Sequence, residues 1–217
     1  MDNALIVERV LYLIILLLSL TCHEFFHAWS AWRLGDDTAA RMGRLTLNPV
    51  PHIDLLGTIA LPLLGAPIGW AKPVPVDPSR FNRNVKMSTG DIIVSAAGPV
   101  SNIVLGTAAA IVLGILWRFA PETVGRGTAG GALLGHFMLV NAGLAIFNLL
   151  PIPPLDGGHV AAALVPYRFR AMWDQFARFA PLLLLAMIFL GLAGPVIGPP
   201  RELLFGFFRS VTVAIGA

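Results

Sequence analysis

The sequence contains little charge and almost no cysteine. Lys, Arg, Asp and Glu make up 12% of the 217 residues, about half of the share that is typical of soluble domains. Cys22 is the only cysteine, which excludes an intramolecular disulfide. There is no cluster of basic and aromatic residues suited to nucleic acid, so we expect no nucleic-acid partner. The N-terminus lacks a basic stretch before its first apolar run, which argues against a removable signal peptide.

Apolar residues dominate instead. They account for 56% of the chain, and the mean hydropathy is +0.76. This composition predicts an all-α polytopic membrane protein. A bilayer core of about 30 Å requires about 20 helical residues, and the stretches that approach this length are residues 5–32, 91–117, 132–150 and 179–197. A further apolar stretch at residues 203–215 is short and contains Arg209, so the expected number of transmembrane helices is four to five.

Three features describe the spans and the segments that join them. Gly106, Ala110 and Gly114 are four residues apart in the second span, and such a stripe of small residues lets another helix approach closely. The third span meets several prolines after residue 150 and resumes after Asp156. Residues 44–76, between the first two spans, hold too many prolines and glycines for one continuous helix, which predicts a small β/re-entrant element there.

Basic residues predict the orientation in the membrane. They concentrate between the first and second spans and between the third and fourth. By the positive-inside rule, both of these loops should be cytoplasmic. His23 and His27 then lie in the cytoplasmic half of the first span, since the helical rise places them roughly 5 to 10 Å from that edge. We therefore expect a multi-pass protein of the plasma or inner membrane whose ionisable residues lie nearer the cytoplasmic side.

The first span carries the motif HEFFH at residues 23–27. His23 and His27 are four residues apart, so their rings project from one helical face and can bind one metal ion. Glu24 lies beside them and can act as a general base, as in the H-E-x-x-H zinc signature. Alternatively, the two histidines could merely hydrogen-bond to each other within a helix bundle. Ionisable groups inside a span are costly, however, and are functional by default.

A catalytic zinc ion requires a third protein ligand. The remaining glutamates lie at span ends or in loops, which leaves Asp54 and Asp156 as carboxylates in apolar surroundings. We prefer Asp156, because the prolines of NLLPIPPLDGGH break a span at membrane depth and Gly157 and Gly158 would let the backbone pass close to the metal. A role for Asp156 as the N-cap of the next helix is compatible with ligation.

Taken together, HEFFH in the first span, AGPVSN in the second and NLLPIPPLDGGH in the third resemble the site-2 protease family of intramembrane zinc metalloproteases. The segments LNPVPHIDLLGT and GWAKPVPVD also resemble that family's loop between its first two core helices, so the resemblance covers roughly residues 20–165. It implies one zinc ion bound by His23, His27 and Asp156, with Glu24 as the general base. It also implies cleavage of membrane-protein substrates at a transmembrane segment, as in regulated intramembrane proteolysis.

We expect a single integral-membrane peptidase domain over residues 1–217, with its core in residues 5–165 and additional C-terminal helices in residues 176–217. The family keeps an asparagine eight residues before the aspartate, and Asn148 occupies this position. Its amide could hold a substrate backbone or stabilise an oxyanion, which makes it a candidate catalytic residue. The alternative is a hydrogen bond between helices.

The predicted roles of the other polar residues are less specific. Asn102 and Asn141 are expected to make packing hydrogen bonds between helices. Three roles fit His52 and Asp54 equally well: they could support the metal ligands, act as gating groups, or form a turn after Pro51. His159 is a candidate for orienting Asp156 or a neighbouring carbonyl.

A second hypothesis from a different class also fits the three ligands: a non-hydrolytic membrane protein that binds or transports metal. Glu24 distinguishes the two hypotheses, because a permeation site does not need a carboxylate adjacent to a histidine ligand and a peptidase does. A scaffold that has lost catalysis is disfavoured, because all four chemical groups are present.

Overall fold

The structure is a computed structural model that describes residues 3–65, 69–125 and 127–217. Regular secondary structure in these ranges is helical throughout. The α-helices are α1 (Asn3–Arg33), α2 (Thr38–Arg41), α3 (Leu61–Leu63), α4 (Met87–Phe119), α5 (Pro121–Val124), α6 (Ala129–Asn148), α7 (Asp156–Leu164), α8 (Arg170–Phe189) and α9 (Ala193–Gly216). Short 3-10 helices occur at Val50–His52, Pro78–Arg80 and Tyr167–Phe169, and a π-helical turn occurs at Leu55–Ala60.

Four helical stretches are long and apolar enough to cross a membrane: Ile6–Arg33, Met87–Phe119, Ala129–Asn148 and Tyr167–Phe189. This confirms the prediction of an all-α polytopic protein, and the first three stretches lie close to their predicted positions. The predicted bounds of the fourth, residues 179–197, were wrong because they cross the turn between α8 and α9. Gly191 makes this turn with a φ of +72°, and its neighbours are leucines, so hydropathy does not detect it.

Helix α9 packs against α4 along the stripe of small residues. The ring of Phe208 is fully buried and lies against Gly106, and Ile215 lies against Gly114. Between them, the Thr212 hydroxyl donates to the carbonyl of Ala110 at 3.1 Å. A Cβ atom at either glycine would collide with α9, so the predicted close approach of a helix at this stripe is confirmed.

The predicted β/re-entrant element between the first two spans is not supported. In residues 44–65 and 69–76, the described part of this segment, no β-strand forms, and a helical run extends from Leu55 to Leu63. Asp54 starts this run, because its Oδ1 accepts from the N–H groups of Leu56 at 3.1 Å and Gly57 at 2.7 Å. A capping carboxylate satisfies backbone donors locally, which composition alone did not reveal.

Residues 71–77, which we call the strap, have no regular secondary structure and lie against the C-terminal third of α1. Lys72 N–H donates to the carbonyl of His52 at 2.9 Å. At the other end, Asp77 N–H donates to Oδ2 of the fully buried Asp36 at 2.7 Å. The strap is therefore fixed at both ends by hydrogen bonds.

Candidate metal centre and catalytic carboxylate

His23, His27 and Asp156 meet in one cluster, in which both histidines are buried and Asp156 is partly exposed. Both histidines project from α1, and Asp156 is the first residue of α7. The Nε2 atoms of the two histidines are 3.0 Å apart. His23 Nε2 lies 3.1 Å from Asp156 Oδ2, and His27 Nε2 lies 3.3 Å from Asp156 Oδ1. The structure thus brings together the three residues that the sequence proposed as ligands from two distant segments.

Hydrogen bonds at the other ring nitrogens determine which tautomer each histidine adopts. His27 Nδ1 lies 2.7 Å from the carbonyl of Val94, which can only accept, so this nitrogen carries the proton. His23 Nδ1 lies 2.7 Å from Asn102 Oδ1 and donates to it in the same way. In the neutral rings, which a metal ion requires, both Nε2 atoms therefore present a lone pair to the carboxylate of Asp156.

This donor set fits a metal ion. Two nitrogen lone pairs and a carboxylate within 3.0 to 3.3 Å repel one another unless a metal ion or a proton lies between them. The buried Asp156 Oδ2 has no hydrogen-bond partner in the described part of the chain. Two imidazoles and one carboxylate are a ligand set that catalytic zinc accepts.

Helix α7 begins at Asp156 itself, with Leu155 at the N-cap position, so the carboxylate is not used as the N-cap.

Glycine is required where α4 passes the cluster. A Cβ atom at Gly98 would lie 2.6 Å from His23 Nε2 and would also collide with His27. Gly157 and Gly158 permit a second close approach. A Cβ atom at either would meet the backbone of residues 149–153, so these glycines let the connection between α6 and α7 fold back on itself.

A chain of buried side-chain hydrogen bonds runs from His23 through α4 and α6 and back to α1. Asn102 Nδ2 donates to Asn141 Oδ1 at 2.9 Å, and Asn141 Nδ2 donates to Ser19 Oγ at 2.9 Å. Both asparagines are fully buried. The expectation that Asn102 only packs was therefore incomplete, because Asn102 also orients the His23 ring. Its amide at membrane depth was the sequence signal that could have indicated this role.

Glu24 lies beside the cluster, and its side chain is engaged elsewhere. The residue is 9% exposed, and Oε2 accepts from the N–H of Val74 in the strap at 2.9 Å. Among the described residues, the group close enough to share a metal ion contains His23, His27 and Asp156 without Glu24. The carboxylate is thus placed next to this cluster without belonging to it.

The remaining candidates have structural contacts of their own. Asn148 Nδ2 donates to the carbonyl of Leu144 at 3.0 Å, within α6. His52 is 1% exposed, and its Nε2 donates to the carbonyl of Thr46 at 3.0 Å, so it stabilises the loop after α2. His159 is exposed and makes no hydrogen bond to Asp156 in the described part of the chain. The structure therefore brings none of the three into the cluster.

A helical bundle with four membrane-length helices and a largely buried His-His-Asp cluster defines a multi-pass membrane metalloprotein. The family model "Peptidase family M50" matches residues 127–194, which contain α6, α7 and α8. The chain is 37% identical over 190 residues to "Putative zinc metalloprotease YwhC" of Bacillus subtilis, an alignment that covers 87% of this chain and 84% of that protein. No solved structure shows a significant match.

Two mycobacterial relatives match over a shorter part of their length. The chain is 37% identical over 157 residues to "Putative zinc metalloprotease Rip2" of Mycolicibacterium smegmatis and 34% identical over 151 residues to the protein of that name from Mycobacterium tuberculosis. These alignments cover 72% and 70% of this chain but 58% and 54% of the relatives. The chain belongs to peptidase family M50, the site-2 protease family, and is a membrane zinc metalloprotease.

Proposed function

We propose that the protein is an intramembrane zinc endopeptidase that hydrolyses peptide bonds in or near the transmembrane segments of membrane-protein substrates. The observation that carries this proposal is a buried carboxylate, Glu24, directly beside a His-His-Asp cluster inside a helix of membrane length. Such a pairing of a metal site and a base is what peptide hydrolysis requires.

In this proposal, His23, His27 and Asp156 hold one zinc ion per chain. When bound, zinc polarises a carbonyl oxygen and lowers the pKa of water towards 7. Asn102 and the Val94 carbonyl keep the two imidazoles oriented with Nε2 towards the ligand position. The Glu24 carboxylate accepts the proton of the attacking water and delivers it to the leaving amine.

The substrate must unwind locally before it can react. A helical transmembrane segment hides its carbonyls in backbone hydrogen bonds, so the scissile peptide has to be presented in an extended form. We propose that Asn148 helps to hold this backbone, because its Oδ1 accepts no hydrogen bond from the described residues. The loop charges support placing the protein in the cell membrane with the site nearer the cytoplasm, and a role in regulated intramembrane proteolysis is part of the same proposal.

The test combines zinc analysis of the purified protein with cleavage of a panel of single-span substrates by wild type and Glu24→Gln. We expect about one zinc ion per chain in both proteins, and cleavage by the wild type only. Wild-type protein that moves zinc across vesicles and cleaves no substrate would instead support the metal-transport hypothesis.

A further inference from the structure

The strap crosses α1 at the catalytic carboxylate. Val74 N–H donates to Glu24 Oε2 at 2.9 Å, although the two residues are 50 positions apart in the sequence. Within the described residues, this is the only hydrogen bond made by the Glu24 side chain. A buried carboxylate needs such a donor, and here the backbone of a loop provides it.

Buried groups on both sides of Val74 hold the strap in place. On one side, the carbonyl of His52 accepts from Lys72 N–H, and the Arg44 guanidinium donates to the carbonyl of Lys72. On the other side, Asp36 accepts from Asp77 N–H. His52, Arg44 and Asp36 are 1%, 6% and 0% exposed, so these anchors lie away from solvent and leave Val74 little freedom to shift.

The sequence of the strap makes Val74 a single, rigid donor. Pro73 and Pro75 flank it and have no N–H, so Val74 provides the one backbone donor between residues 72 and 76. A residue that precedes proline is restricted to an extended backbone, and this applies to both Lys72 and Val74. The strap thus presents one fixed N–H group to Glu24.

A glutamate side chain has three rotatable bonds, and its free rotation would move the carboxylate away from a productive position. We propose that the strap is a positioning element for catalysis and that the main-chain N–H of Val74 holds Glu24 in the orientation that proton transfer requires. This inference rests on the proposed role of Glu24 as the general base. It also assigns a purpose to His52, Arg44 and Asp36, which anchor the strap.

The first test removes only this N–H group. Val74→Pro should lower kcat about 10-fold to 100-fold, the scale of a misplaced catalytic group, with KM within about twofold and zinc content unchanged. Val76→Pro is the comparison variant within the strap. The Val76 N–H makes no hydrogen bond within the described residues, although its side chain packs against Ala31, Phe81 and Val94, so its kcat should stay well above that of Val74→Pro. A kcat for Val74→Pro that equals or exceeds the wild-type value would overturn the proposal, and an increase would mean that the strap obstructs the site.

The second test probes the contact without any substrate. Hydrogen exchange of a peptide that covers the strap is compared in wild type, Glu24→Gln and Glu24→Ala, each with and without a zinc chelator. The glutamine oxygen still accepts the Val74 N–H, so Glu24→Gln should match wild type, whereas Glu24→Ala should expose one additional fast-exchanging amide. Equal exchange in all three proteins would contradict the contact. An inactive wild type contradicts the proposed function, whereas an active wild type with an equally active Val74→Pro contradicts the positioning role alone.

Discussion

The two proposed histidine ligands and Glu24 lie within five consecutive residues of α1, yet different parts of the molecule hold them. Asn102 and the Val94 carbonyl, both on α4, fix the two imidazoles inside the helical bundle. The strap, a loop segment, fixes the Glu24 carboxylate. Metal binding should therefore depend on helix packing, whereas proton transfer should depend on a loop. Substitutions should accordingly separate zinc affinity from turnover.

The largest effect should come from removing a ligand. His23→Ala, His27→Ala or Asp156→Ala leaves an incomplete site, so zinc binding should weaken greatly and cleavage should be lost. Zinc per chain, measured after extensive dialysis, reports the result. Asp54→Ala is the control, since Asp54 caps a helical run and should leave zinc binding intact. Full zinc occupancy in Asp156→Ala would contradict the assignment.

Glu24→Gln should affect the chemistry and leave the metal in place. Glutamine keeps the size of the side chain and can still accept the Val74 N–H, but it cannot take a proton. Turnover should fall by about 10²-fold to 10⁴-fold, while zinc content matches wild type and substrate accumulates in complex with the protein. Single-turnover cleavage beside zinc analysis separates these quantities. Loss of zinc in Glu24→Gln would show that metal binding depends on the Glu24 carboxylate.

Asn102→Leu tests whether contacts between helices control metal binding. The substitution keeps an apolar side chain of similar size but removes the acceptor of His23 Nδ1–H, so zinc affinity should fall about 10-fold to 100-fold. Competition with a chelator of known affinity measures this change. Asn148→Leu is the matched control for metal binding, because Asn148 donates within its own helix. Equal affinities in both variants would remove Asn102 from the metal site.

A smaller effect is expected where α4 meets α9, away from the cluster. Gly106→Ala places a methyl group against the Phe208 ring, and such overpacking costs about 1 to 3 kcal/mol of stability. Gly135→Ala is the control, since nothing lies within 4 Å of a Cβ atom at that position. Thermal unfolding in detergent compares the two variants, and zinc affinity should change in neither. A large loss of zinc in Gly106→Ala would show that the C-terminal helix supports the site.

The smallest effect concerns pH at the exposed end of the strap. Hydrogen bonds from the Ser79 hydroxyl and N–H lower the pKa of the Asp77 carboxyl below its usual value. A lowered pKa in the folded state stabilises the protein above the unfolded pKa, and this contribution disappears as the pH falls below about 4. The stability of wild type relative to Asp77→Asn should therefore decline slightly over that range. A difference that is independent of pH would contradict this.

Features that lie within one secondary-structure element could be predicted from the sequence. The spacing of His23 and His27 fixes them on one face of α1 because helix geometry alone determines it. Hydropathy located the first three membrane-length helices, and the stripe of small residues indicated a close helix contact. Errors arose where a local contact outweighs composition. The Asp54 cap produced a helical run in place of the predicted β/re-entrant element, and the turn at Gly191 lies between leucines.

The sequence by itself determined the membrane class, the candidate ligands and the neighbouring carboxylate, since each follows from residue chemistry and from spacing along one helix. Only the tertiary structure decided which contacts hold them in place. Asn102 accepts a hydrogen bond from His23, the Val74 N–H donates to Glu24, and Gly98 packs closely against both histidines. These contacts join segments that lie far apart in the chain. No periodicity encodes the relative placement of such segments, because it results from the packing of all the helices together.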